Sequence, residues 1–116
     1  MRDFLVQAAG VIGIIVALVH GYLGQTKIFA KASIEPRGAR RILWGIYLNS
    51  VVAWSALGIL LILVPTFGST QARYAIIAAS VAVYGQAAIG NAWATRGRHI
   101  GWALMACAIG LAVAGA

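Results

Sequence analysis

Residues 42–72 read ILWGIYLNSVVAWSALGILLILVPTFGSTQA, a run of 31 positions without a formal charge. A bilayer's hydrocarbon core is about 30 Å thick and an α-helix rises about 1.5 Å per residue, so about 20 apolar residues cross it. The run up to Val64 is therefore long enough to span. Pro65 ends it, because proline has no N–H to continue the hydrogen-bond ladder. The following PTFGSTQ (65–71) has a loop composition. Working outward, residues 4–26, 74–95 and 99–116 are also free of formal charge when His20 and His99 are neutral. Four spans fit with little chain left over. The expected fold is an all-α integral membrane bundle of four transmembrane helices, a single domain over 1–116. The helices are placed at about 3–23, 36–64, 71–94 and 98–114. Pro36 suits a first turn, where its missing N–H would be unpaired anyway. Thr70 is placed to cap the third helix. The short TRGRH loop (95–99) makes helices three and four antiparallel neighbours.

Composition supports this reading. Of the 116 residues 62% are hydrophobic and 9% charged, against about 25% charged in soluble domains. Such a chain cannot cover a water-facing surface with polar groups. The net charge of +7 would by itself permit a nucleic-acid partner. The basic residues instead cluster between apolar runs, which excludes that class and marks loops beside membrane spans. Lys27, Lys31, Arg37, Arg40 and Arg41 fall in the first connector, Arg96 and Arg98 in the third. Only Arg2 and Arg73 fall on the other side. The positive-inside rule puts the richer side in the cytoplasm and both termini outside, in a membrane expected to be the bacterial inner membrane. Trp44, Trp93 and Trp102 lie near the same boundary, whereas Trp54 is deeper. The stretch FLVQAAGVIGIIVALVHGYLG (4–24) is long for a signal h-region. Arg2 is offset by Asp3 and no A-x-A site follows, so a retained first helix is expected. Cys107 is alone and can form no internal disulfide.

Helices associate in lipid through close contact at small residues, since the tails are as apolar as leucine. Helix one carries Gly10, Gly13, Ala17, Gly21 and Gly24 at spacings of three and four, with His20 on the same stripe. Leu5, Ile12, Ile15 and Val19 are assigned to lipid. Helix three carries Ala75, Ala78, Ala82, Gln86 and Gly90. Helix four carries two such faces, Gly101–Ala108–Ala112 and Ala106–Gly110–Ala114, and Gly97 with Gly101 forms a GxxxG spacing. Two faces on one helix allow two neighbours, one of them outside the chain.

No Asp, Glu, Lys or Arg falls near the expected bilayer centre, where ion-coupled transporters usually place an ionisable group. The intramembrane amides are Gln7, Asn49, Gln86 and Asn91; Asn49 and Gln86, the deepest, are expected to bond between helices or to backbone carbonyls. His20 and His99 fall near one boundary, and two histidines on facing helices can ligate a haem iron. As a helix-four residue His99 would point away from Gly101, Ala108 and Ala112, and no further ligands accompany the pair. Histidine ligation is thus a remote alternative, and no cofactor or metal is expected. The segment from Lys27 to Ala32 can lie as an amphipathic turn on the membrane surface. With Arg37, Arg40, Arg41, Arg96 and Arg98 it forms a basic rim for anionic lipid or a partner, and Glu35 is expected to pair with a nearby arginine.

No nucleophile, base and carboxylate can be gathered, so an enzyme is not expected. In size and span count the chain resembles the small multidrug-resistance exporters. Their first helix carries an embedded glutamate, and helix one here has none. Nor does it show the polar pore pattern of the fluoride channels. The expected function is a non-catalytic accessory or structural subunit packed against a larger membrane complex. The alternative is a homo-oligomeric channel or transporter, at least a dimer, lined by Asn49, Gln86, Asn91 and His20.

Overall fold

The computed structural model describes residues 1–116, and every regular element in it is helical. Helix α1 spans Arg2–Leu23 and continues through a π turn over Gly24–Phe29. Helix α2 spans Arg37–Leu63 and tightens into a 3-10 turn over Val64–Phe67. Helix α3 spans Thr70–Thr95 and α4 spans Gly101–Ala114. Three of these are long and apolar enough to cross a membrane, and α4 is shorter.

Local chemistry sets the boundaries. Pro36 is the N-cap of α2 and Pro65 opens the 3-10 turn that closes it. Ser69 rather than Thr70 caps α3, its Oγ accepting from the Ala72 N–H at 3.2 Å. At the far end of α3 the Gly97 N–H reaches Ala92 O at 2.7 Å and the Arg96 N–H reaches Trp93 O at 3.2 Å. This is a Schellman stop, with Arg96 (φ 51°) and Gly97 (φ 73°) both left-handed. The turn consumes Arg96–Ile100, so α4 begins at Gly101 instead of about residue 98. Its 14 residues rise roughly 21 Å, short of the hydrocarbon thickness. Gly97 therefore lies in a turn, and the Gly97–Gly101 spacing is not a helical face.

The first connector also departs from expectation. The π turn prolongs α1 instead of laying a separate segment on the surface. One extra residue per turn rotates Phe29 inward, where it is buried and meets the Tyr47 ring edge-on at 5.3 Å. Lys27 and Lys31 stay exposed.

α1 is the hub. It packs most extensively on α2 and next on α4, while α3 packs on α4 and only lightly on α2. Its buried residues include Val6, Ala9, Gly10, Gly13, Val16 and Ala17. Gly10 and Gly58 make the tightest helix crossing. A Cβ on Gly10 would strike the Gly58 carbonyl, and one on Gly58 would lie 2.7 Å from the Gly10 carbonyl oxygen. Tyr84 inserts from α3 over Gly13, where any Cβ would collide with the phenol. Its O–H donates to Trp54 O on α2 at 3.0 Å. Leu61, Val64, Ile77, Met105, Ala108 and Ala112 complete the core. Only 19 of 116 residues are buried. The outer surface carries Ile15, Leu18, Ile42, Ile46, Val52, Ile89 and Val113, an apolar coat suited to lipid.

The end holding both chain termini is tied by Arg73. It pairs with Asp3 of α1 and donates to the Gly115 carbonyl after α4 at 2.6 Å. One α3 side chain thus joins α1, α3 and α4, and its positive charge sits at the negative end of α4.

Candidate functional site

The connector end of the bundle gathers most of the polar chemistry. There α1 runs into α2 and α3 into α4. His20 is half-buried on α1. Its ring stacks on Tyr47 at 4.3 Å and tilts against Trp54 at 4.6 Å. The Tyr47 O–H donates to the His20 carbonyl at 2.5 Å. Two α2 aromatics thereby fix the last turn of α1, and Gly24 leaves the room that the Tyr47 ring fills.

His99 lies in the α3–α4 turn and escapes the helical phase expected for it. Its Nδ1 accepts from the Gly101 N–H at 3.1 Å, capping α4. The imidazole lies against Gly101, where a Cβ would be 2.9 Å from Nδ1. Asn91 approaches the same glycine, its Nδ2 lying 3.6 Å from that Cβ position. Its Oδ1 is buried without a hydrogen-bond partner. His20, in the last turn of α1, and His99, in the α3–α4 turn, share this end of the bundle. No cluster of three or more His, Cys, Asp or Glu forms around them. His20 is placed by aromatic contact and His99 by capping.

The basic rim divides into bonded and unbonded members. Arg40 donates to Phe29 O at 2.5 Å and Ala32 O at 2.9 Å. It thus closes the C-terminus of the α1 extension, a favourable place for a cation. Arg37, Arg41, Arg96 and Arg98 are exposed and carry no side-chain hydrogen bond. Glu35 does not pair with an arginine, since the one ion pair is Arg73–Asp3 at the opposite end. The Trp44 indole N–H donates to Gln25 Oε1 at 3.0 Å. Between the end of α1 and the start of α2 lies an open cleft of about 590 Å³, on whose walls stand Arg37, Arg40, Arg41 and Trp44.

Two further amides sit on the outside. Asn49 on α2 and Gln86 on α3 are exposed and bond neither to another helix of the chain nor to a backbone carbonyl within it. Polar links between helices come from Tyr47, Tyr84, Arg73 and Gln7, the last donating its Nε2–H to Ile62 O at 3.3 Å. On α1, Gly10, Gly13, Ala17 and Gly24 are buried and Gly21 half-buried. On α4, Gly101, Ala108 and Ala112 are buried while Ala106, Gly110 and Ala114 face outward. The α3 residues Ala75, Ala78, Ala82 and Gly90 also face outward with Gln86, and α3 buries Ile77, Ser80 and Tyr84 instead.

The two tyrosines and Arg73 carry roles that sequence reasoning missed. A signal existed for the tyrosines, because glycines on one helix make room for large rings on another. No family model, curated protein or solved structure matches this chain.

Proposed function

We propose that the chain is a non-catalytic polytopic membrane protein, an accessory or structural subunit packed laterally against a larger integral membrane complex. In this reading it lies in a bacterial inner membrane with both termini outside. Its basic rim then meets cytoplasmic headgroups or a partner.

The carrying observation is Gln86. It lies well inside α3, is exposed, and has no hydrogen-bond partner in the chain. In hydrocarbon no water can serve an unpaired amide. The residues along its face are small, with Ala75, Ala78, Ala82 and Gly90 all exposed. A helix laid on that face approaches the backbone closely and brings partners for the amide. Asn49 on α2 repeats the arrangement, with Gly45, Ala53 and Ala56 exposed on its own face. The bundle's own contacts use neither face.

Extraction in mild detergent tests this. Co-purification with a larger complex in fixed stoichiometry is the expected result. A discrete homodimer that passes ions in liposomes would replace this reading with the channel alternative.

A further inference from the structure

We propose that the cleft between the end of α1 and the start of α2 binds a phosphate-bearing anion, and that this anion is the headgroup of an acidic phospholipid. The inference rests on the membrane placement proposed above and names a ligand for its basic rim. It does not depend on the lateral partner.

Charge placement is the first argument. Arg37, Arg40 and Arg41 occupy the first turns of α2 and line the cleft. A helix N-terminus carries about half a positive charge, so cations there are unfavourable and anions favourable. No acidic residue lies in that first turn, and Pro36 supplies no side-chain cap. Glu35, the one carboxylate on the cleft wall, forms no ion pair. The guanidinium groups of Arg37 and Arg41 are thus set against the helix dipole, with one unpaired carboxylate beside them.

The arginines are not equivalent. Arg40 has a structural task, since it closes α1 through Phe29 O and Ala32 O. Those bonds fix its guanidinium at the cleft without neutralising it. Arg37 and Arg41 have no task within the chain. Each offers five donors in the planar fork that matches phosphate oxygens. A bound phosphodiester would satisfy them and reverse the unfavourable field at the start of α2.

The cleft's shape and wall favour lipid as the source. Its volume of about 590 Å³ lies within the range of roughly 300–1,000 Å³ typical of small-ligand sites. Phe29, Ile34 and Trp44 contribute apolar wall, for which a free inorganic ion has no use. Trp44 is held by its bond to Gln25, and indoles favour the headgroup level. Beyond it the exposed Ile42 and Ile46 continue along α2 as a path for acyl chains. Basic pockets between helix ends suit acidic headgroups for these reasons.

The test is native mass spectrometry of the full chain, released from neutral detergent doped with equal amounts of phosphatidylglycerol and phosphatidylcholine. One phosphatidylglycerol retained per chain is expected, with a preference of about tenfold or more over phosphatidylcholine. The double variant Arg37→Gln/Arg41→Gln should remove that preference. Lys27→Gln/Lys31→Gln, at the same end but outside the cleft, should leave it within about twofold. If the glutamine variant does not fold, Arg37→Lys/Arg41→Lys replaces it, keeping charge but losing the fork, and should weaken retention by several-fold. A separate arm adds millimolar inorganic phosphate. A phosphate adduct that depends on Arg37 and Arg41, with no lipid preference, keeps the anion site and makes its source soluble. Equal retention of both lipids with no phosphate adduct overturns the proposal. A loss from Lys27→Gln/Lys31→Gln equal to that from Arg37→Gln/Arg41→Gln also overturns it, by reducing the effect to diffuse charge. A monomer that retains phosphatidylglycerol would count against the lateral partner alone, and a partnered chain indifferent to both anions against the cleft alone.

Discussion

Helices α1 and α3 carry nearly the same pattern and use it in opposite ways. Each has small residues at spacings of three and four, with one polar side chain on the stripe. On α1 the stripe is turned inward, and Gly10, Gly13, Ala17 and Gly24 are buried. Gly58 and the rings of Tyr84 and Tyr47 take up the space. On α3 the stripe from Ala75 to Gly90 is turned outward with Gln86, and the helix buries Ile77, Ser80 and Tyr84. A small-residue stripe therefore marks close approach without saying whether the neighbour belongs to the same chain. The discriminating observation is polar satisfaction. The α2 and α3 tyrosines that meet the α1 stripe find carbonyls, whereas Gln86 finds nothing in the chain.

This contrast predicts a graded series of effects. Gly10→Leu should be the most damaging change, because the Gly58 carbonyl leaves no room for a side chain and the helices must separate. We expect a loss of about 3 kcal/mol or more, read as a collapse of the thermal transition in mild detergent. Arg73→Ala should cost about 2 kcal/mol. Most of this comes from the charged bond to Gly115 O, since Asp3 is 57% exposed and its pair with Arg73 is screened. Release of the α4 end should appear as faster hydrogen exchange near Ala112. Tyr84→Phe removes one bond between α3 and α2 and should cost about 1 kcal/mol or less, with helix content by circular dichroism unchanged. Arg96→Gly should stabilise by about 1 kcal/mol, since glycine accepts the left-handed conformation without the Cβ penalty. Ala82→Leu, on the outward stripe, should leave the isolated chain within about 0.5 kcal/mol of wild type while abolishing lateral association. An unfolding effect of Ala82→Leu as large as that of Gly10→Leu would erase the distinction between the two stripes.

Much of the architecture is legible because it follows from charge and length. The charge-free runs place the helices, and the prolines bracket α2. The glycine period on α1 gives the phase of its packing face. The phase of α3 is not legible in the same way. A helix apolar all round gives no hydrophobic contrast to orient it, and in lipid hydrophobicity does not choose the buried side. The length of α4 was hidden by Arg96, a residue with no local preference for the left-handed conformation that stops α3. Once α4 begins at Gly101, His99 becomes a capping residue and its expected phase no longer applies. The Arg73 tie joins residues 70 and 42 positions apart, beyond any local spacing rule. At the candidate site, the sequence pattern marked the cluster of arginines. It did not mark which of them is already occupied, since that depends on where the π turn delivers the carbonyls of Phe29 and Ala32.

In the proposed assembly the Gln86 face of α3 is covered by another protein's helix. The direct measurement places a photo-crosslinking amino acid at position 86 in cells, with a matched probe at position 18, where Leu18 faces outward on α1. A discrete protein adduct containing a subunit other than this chain is expected from position 86, and only lipid adducts from position 18. Lipid adducts alone from both positions would contradict that assembly.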